Sequence, residues 1–200
     1  MLASSPISDL AREMAAIFAT EGRDDAVMTG QELIAGHWPD GLNHPPMTLE
    51  AELRACLATS AHPCAAAIGA AIPMTPWGTN PVETRMLKRE ASMIAVATLL
   101  DPDGPMPSRR FRAGLLFQRA GTYYRLHNHD ADETYAIVAG SADWIAGDDR
   151  RIRGAGNVIH HPSRMPHAFR AGPEGFVAIW RWSGDINAHS YTFLPDPEAS

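Results

Sequence analysis

The sequence predicts a mainly β protein, a single antiparallel barrel or jelly roll with a helical N-terminal extension. Three observations predict it. The second half of the chain breaks into apolar runs of a few residues separated by Gly, Asp and Pro, which is the spacing of an all-β fold. The first half repeats its apolar residues at helical spacing. A turn-rich connector, DPDGPMPSRR at 101–110, lies between them and puts a seam near residue 104. Residues 1–104 therefore read as the extension and 105–200 as the barrel.

In chain order, Leu10, Met14, Ile17 and Phe18 recur on one helical face, and Gly22 follows as a stop. Thr48 is positioned to cap a second helix, with Glu50 and Glu52 at the positive end of its dipole and Leu49, Leu53 and Leu57 along one face. His62-Pro63 interrupts that helix, because proline lacks an N–H and disfavours a helical predecessor. The segment 72–81 carries Pro73, Pro76 and Pro81 and reads as a loop, whose Trp77 either packs on the core or covers a pocket. The strand runs are Leu115–Gln118, Tyr123–Leu126, Thr134–Val138, Ala142–Ala146, Val158–His160 and Phe176–Trp180. Gly147-Asp148-Asp149 and Gly172-Pro173 read as turns.

Composition narrows the function. The chain has 200 residues, 45% of them hydrophobic and 20% charged, enough for a full core without disulfides. Net charge is -6, and Lys88 is the only lysine among 17 basic residues, so a basic face for nucleic acid is not expected. No apolar stretch is long enough to span a membrane. The N-terminus carries Asp9, Arg12 and Glu13 and lacks the pattern of a signal peptide. Cys56 and Cys64 form no C-x-x-C pair and read as small buried hydrophobes, with a reducing cytoplasm as the expected compartment.

The histidines are uneven: of nine, five lie between His127 and His167. Residues two apart on a strand share a face, so His127 and His129 point the same way, as do Glu133 and Tyr135. The polar Asp130-Ala131-Asp132 can turn the chain between them, and His167, after a Pro-rich turn, can add a third imidazole. Three nitrogens and one carboxylate with open positions make a catalytic-type divalent site that zinc, Fe(II) or Mn(II) would accept. Burying these groups without a partner would cost about 2–7 kcal/mol each, which a cation offsets together. His160 and His161 have opposite strand parity and are read as bystanders; His37, His44, His62 and His189 are read as ordinary polar residues.

Gly121, His127, His129, Glu133 and Gly140 fill the pattern G-x5-H-x-H-x3-E-x6-G, which resembles the first motif of the cupin superfamily. Gly156, Pro162 and His167 match its second motif, with Arg164 where the family has Gly and Ala171 where it has Asn. That resemblance covers about residues 113–182 and implies a cupin β-barrel holding one divalent ion on His127, His129, Glu133 and His167. Tyr135 two residues after the Glu, Tyr124, the stretch His62-Pro63-Cys64 to Trp77-Gly78 and Trp182 are further similar to the bacterial dimethylsulfoniopropionate (DMSP) lyases of the DddQ type.

That resemblance implies a carbon–sulfur lyase acting on a small molecule by β-elimination, giving dimethyl sulfide and acrylate. Tyr135, on the Glu133 face, is the leading base, because a nearby cation favours the phenolate. Strict alternation puts Tyr123 on the His127 face whereas the resemblance selects Tyr124, and a bend at Gly121-Thr122 would reconcile them. Trp182, Trp180 and Trp77 are candidates to meet the sulfonium. Trp180 and Trp182 share one parity and Ile179 and Arg181 the other, so one of the two faces points inward. An Fe(II)-dependent dioxygenase and a non-catalytic small-molecule-binding cupin are the alternatives, as either a monomer or a homodimer.

Overall fold

The computed structural model describes residues 5–38 and 47–198; His44 lies outside them. Helix α1 (Pro6–Ala19) opens with Pro6 in its first turn and Ser8 N–H on Ser5 Oγ, and buries Ile7, Leu10, Met14 and Phe18. Helix α2 (Asp24–Ala35), which the sequence reading does not pick out, starts on Asp24 and Asp25 and crosses α1 where Gly30 meets Ala15. Helix α3 (Glu50–Ala58) begins with Leu49 at the cap position, so Thr48 does not cap it. Pro63 opens helix α4 (Pro63–Ala71), and His62 is its cap, accepting Cys64 N–H at Nδ1 (3.2 Å). A short helix α5 (Lys88–Ala91) precedes the sheet proper.

The strands are β1 (Trp77–Gly78), β2 (Ile94–Asp101), β3 (Met106–Pro107), β4 (Arg112–Gln118), β5 (Tyr123–Asn128), β6 (Ala131–Ala146), β7 (Asp149–Gly154), β8 (Val158–His161), β9 (His167–Gly184) and β10 (Thr192–Phe193). They form one curled sheet in the order β1-β2-β4-β9-β5-β10, with β6 pairing β7, β8 and β9. The result is a cupin-type β-barrel with helices on one outer face. The sheet starts before the connector: β2 pairs antiparallel with β4 over Ile94↔Gln118 to Leu100↔Ala113. A strand buried on both faces carries no alternating pattern, which is why β2 goes unmarked within 1–104 in the sequence.

Two predicted runs, Thr134–Val138 and Ala142–Ala146, are one strand, β6, bent by register shifts around Gly140. Gly140 takes φ 68°, and a Cβ there would sit 2.1 Å from the Gly175 carbonyl oxygen, so only glycine fits. Gly172-Pro173 likewise does not turn the chain, because β9 runs through it while pairing with β5 and β6 on one side of it and β4 and β6 on the other.

Alternation along β9 sorts the interior. Trp180, Trp182, Tyr135, Val96 and Leu116 face the barrel. Val177, Ile179, Leu115 and Ala97 face α1, α3 and α4. Arg181 lies on that second face at 0% exposure, its guanidinium on Glu21 (2.9 and 2.5 Å) and Asp25 (3.2 Å). Thr134 Oγ1 also donates to Glu21 (2.9 Å), so one buried carboxylate ties the turn between α1 and α2 to two central strands. The free thiols Cys56 and Cys64 sit in the helical layer, where burial pushes them up to about 11 and about 12. Among the described residues no helix is long and apolar enough to cross a membrane.

Candidate metal centre

β5 delivers His127 and the turn after it His129, β6 delivers Glu133, and the start of β9 delivers His167; all four are nearly fully buried. One nitrogen each from His127, His129 and His167 lies within 4.8 Å of the others. The second nitrogens explain the orientation. Nδ1 of His127 faces the Arg125 carbonyl (2.7 Å), Nδ1 of His129 the Ala131 carbonyl (3.1 Å) and Nδ1 of His167 the Met165 carbonyl (2.9 Å). A carbonyl only accepts, so each Nδ1 carries the proton and each Nε2 presents a lone pair.

Those lone pairs meet a carboxylate. Glu133 Oε2 lies 3.2 Å from His129 Nε2 and 3.2 Å from His167 Nε2, with no proton assigned to either contact by these tautomers. Facing lone pairs at that distance repel unless a cation stands among them. His167 Nε2 is in fact buried with no hydrogen-bond partner. The donor set therefore fits a divalent ion: His127, His129 and His167 form one cluster of candidate ligands, and Glu133, His161 and His167 form a second that shares His167.

His161 points inward too and carries its proton on the same nitrogen, but it is Nδ1 rather than Nε2 that faces the carboxylate. Its Nε2 accepts the indole N–H of Trp144 (3.0 Å), so Nδ1 carries the proton and turns it toward Glu133 Oε2 (3.6 Å). At that separation the His161 Nδ1–H is left without a hydrogen-bond partner beside Glu133, whereas His160 faces the other way onto Asp132 (3.0 Å) and Arg23 (2.8 Å). Trp182 Nε1–H holds the second carboxylate oxygen of Glu133 at 2.5 Å.

Arg164 occupies the turn between β8 and β9 with φ 66°, the only positive value on a non-glycine among the described residues. The turn thus keeps the left-handed geometry that glycine would give, at a cost of about 1–2 kcal/mol. Its N–H donates to the His129 carbonyl (2.8 Å) and its guanidinium pairs with Asp130, which fastens this turn to the histidine strand.

A small cavity opens beside Glu133, bounded by Tyr124, Tyr135, Tyr191, Trp180 and Trp182. Burial first, then the Glu133 carboxylate, raises the Tyr135 phenol well above its ordinary value. Tyr124 is raised by burial as well, and its hydroxyl meets Tyr191 Oη (2.6 Å) and Asn80 Nδ2 (2.9 Å). Its ring lies 4.6 Å from His127. A register shift between Tyr124 and His127 breaks strand parity, two residues beyond the predicted bend.

The structure does not bring Tyr123 or Trp77 to this cavity. Tyr123 donates to Asp196 (2.9 Å) under the Arg170 guanidinium, and Trp77 packs in the helix-side core. Tyr191, Asn80 and His161 belong to the site without a sequence signal that marks them. Tyr191 stacks on His127 (4.9 Å, 15°), and Arg85 Nη1 donates to its carbonyl (2.7 Å).

The buried imidazoles make a pH prediction. His127 is held well below the ordinary imidazole value by burial and by His167, and His161 is pushed down to about 3 by the same two causes. In the unfolded chain both bind a proton near pH 6.5; in the fold neither does. Acid therefore favours the unfolded chain, and stability is expected to fall as pH drops from about 6.5 toward 3. Thermal melts should show Tm declining before about pH 5; a flat Tm down to that point contradicts a neutral imidazole cluster.

Comparison with known proteins agrees with this architecture. The family model for dimethylsulfoniopropionate lyases matches residues 46–178, well over half of the chain. The dimethylsulfoniopropionate lyase DddQ of Ruegeria pomeroyi is 36% identical over 101 residues, which is 50% of this chain and 50% of that enzyme. The aligned stretch thus spans about half the length of the curated relative. The crystal structure of DddQ from Ruegeria pomeroyi superposes with a TM-score of 0.67 at 27% identity, over 94% of this chain and 98% of that chain. A structure from work on the DMSP lyases RdDddP and RnDddQII gives a TM-score of 0.66 at 18% identity, over 92% and 100% of the two chains, which shows likeness of fold.

Proposed function

The chain belongs to the dimethylsulfoniopropionate lyase family, and from that premise we propose that it cleaves DMSP by metal-dependent β-elimination to dimethyl sulfide and acrylate. The observation that carries the metal dependence is the set of imidazole lone pairs turned onto the Glu133 carboxylate with no proton between them. A divalent ion held by His127, His129, Glu133 and His167 would act as a Lewis acid, stabilising the negative charge that develops beside the substrate carboxylate and favouring nearby phenolate. Zinc, Fe(II) and Mn(II) all suit this donor set.

The chain's own residues supply the rest. Tyr135, one strand step beyond Glu133 and on the cavity wall, takes the proton alpha to the carboxylate. The electron pair left on carbon forms the double bond, and the carbon–sulfur pair departs on sulfur as neutral dimethyl sulfide. Tyr124, fixed by Asn80 and Tyr191, is the second phenol in reach of the cavity. Trp182 orients Glu133 through its N–H and offers its ring to the sulfonium methyl groups, a contact worth about 0.5–2 kcal/mol.

A headspace assay on the purified protein tests this reading. Dimethyl sulfide and acrylate are expected in equal amounts from DMSP, with or without O₂, and release should stop when a strong chelator strips the ion. Absence of dimethyl sulfide from metal-loaded protein overturns the lyase, and full release after chelation overturns the metal dependence.

A further inference from the structure

Two buried N–H donors on the cavity wall have no acceptor. They are Nε of Arg112 and Nε1 of Trp180. Both side chains lie on the interior face and near each other. In the β4–β9 ladder Arg112 pairs with Trp182 and Gly114 with Trp180, so Arg112 and Trp180 are diagonal neighbours. Gly114 keeps that space clear: a Cβ there would stand 3.0 Å from the Trp180 ring and 2.1 Å from the Ala97 carbonyl oxygen. The same row continues across β9 to Glu133, the pairing partner of Trp182 on its other side.

Arg112 is held from behind. Its Nη1 lies 3.1 Å from Asp101 Oδ2, and Asp101 is itself fixed in a turn by Gly104 and Ser108 N–H groups on its carbonyl oxygen. That leaves the Nε edge of the guanidinium without a partner among the described residues, and this edge with Nη2 matches the two oxygens of a carboxylate. Among the residues lining the cavity Arg112 is the only cation, while the tyrosines, Asn80 and the indoles are neutral. A fixed cation with an idle donor edge and an idle indole N–H beside it is a preorganised receptor for an anion.

We propose that Arg112 and Trp180 form a carboxylate-binding subsite, which receives the substrate carboxylate oxygen turned away from the histidine cluster. The proposal rests on the lyase reading for the identity of the carboxylate, and extends it to orientation. With the carboxylate fixed at this wall, the sulfonium is directed away from Arg112, and the alpha carbon lies on the Tyr135 side of the cavity. Neutral analogues lacking the anion lose this anchor.

Acrylate binding tests it, with acrylamide as the uncharged probe of the same shape, both measured by calorimetry on the whole chain. Arg112→Met is expected to weaken acrylate about 10- to 100-fold and to leave acrylamide unchanged. Arg112→Lys, which keeps the charge without the fork, should fall between, and Trp180→Phe should weaken acrylate several-fold. These two variants carry the test if Arg112→Met does not fold. With DMSP as substrate, KM should rise in Arg112→Met. Wild-type protein that binds acrylate no better than acrylamide overturns the subsite, as do variants that retain wild-type acrylate binding or weaken both probes alike. If Arg112 governs acrylate binding but the wild type releases no dimethyl sulfide, the subsite stands and the lyase reading falls. If dimethyl sulfide is released and Arg112→Met and Arg112→Lys keep the wild-type KM, the subsite alone falls.

Discussion

Tyr135→Phe is expected to fold normally, keep its metal, and lose about 100- to 10,000-fold in the rate of dimethyl sulfide release. The fold should survive because the ring stays. Tyr135 packs against Trp144 (5.2 Å) and Phe169 (5.6 Å) through its aromatic body, and no backbone group depends on its hydroxyl. The rate should collapse because, in the proposed elimination, the phenolate oxygen of Tyr135 accepts the proton. Burial and Glu133 both push this phenol upward, so by itself it would hold its proton throughout the working range. Only a cation seated on the Glu133 side reverses that bias, which couples the base to the histidine cluster. Tyr124→Phe is the comparison: its hydroxyl is already committed to Asn80 and Tyr191, and the expected loss is smaller. Rate measurements on both variants decide the assignment. A Tyr135→Phe enzyme within about threefold of wild type, or a Tyr124→Phe enzyme that is the more damaged, removes Tyr135 as the base.

Arg181→Met is expected to destabilise the chain by about 3–5 kcal/mol. The guanidinium is fully buried between Glu21 and Asp25, and removing it leaves the Glu21 carboxylate inside with only Thr134 and no charge partner. For a domain of this length the loss lowers Tm by roughly 10 °C. The double variant Glu21→Gln with Arg181→Met should recover most of it, since the penalty comes from the stranded charge. Urea denaturation measures both. A single variant within about 1 kcal/mol of wild type shows that the Arg181–Glu21 pair does not hold the turn between α1 and α2 to the sheet.

The ligand set was legible because chemistry and period coincide in one short segment. His127, His129, Glu133 and Tyr135 fall at spacings that a strand and a turn convert directly into one inward face. Arg164 departs from the family motif without losing the turn, because its strain is held by hydrogen bonding to His129 and pairing with Asp130. Tyr124 was legible only through resemblance: the register shift before His127 reverses its side, and alternation alone selects Tyr123. Tyr191, Asn80 and Arg112 were not legible at all. Each comes from a different element, and only the curl of the sheet and the loops over its mouth bring them to one cavity. His161 was set aside as a bystander because parity admits one of a His-His pair without saying which, and the Trp144 contact that fixes its tautomer spans 17 residues. In the fold, β2 was hidden by burial on both faces, and the half of β9 before Phe176 by Gly172-Pro173, which interrupts the pattern without turning the chain.

Elemental analysis of the purified chain, wild type beside His129→Ala and His167→Ala, probes the buried cluster most directly. One divalent transition-metal ion per wild-type chain is expected, with little or none in either variant and dimethyl sulfide release lost in step with the ion. A wild-type chain that carries no such ion and still cleaves DMSP at its full rate contradicts the metal centre, and with it the role given to His127, His129, Glu133 and His167.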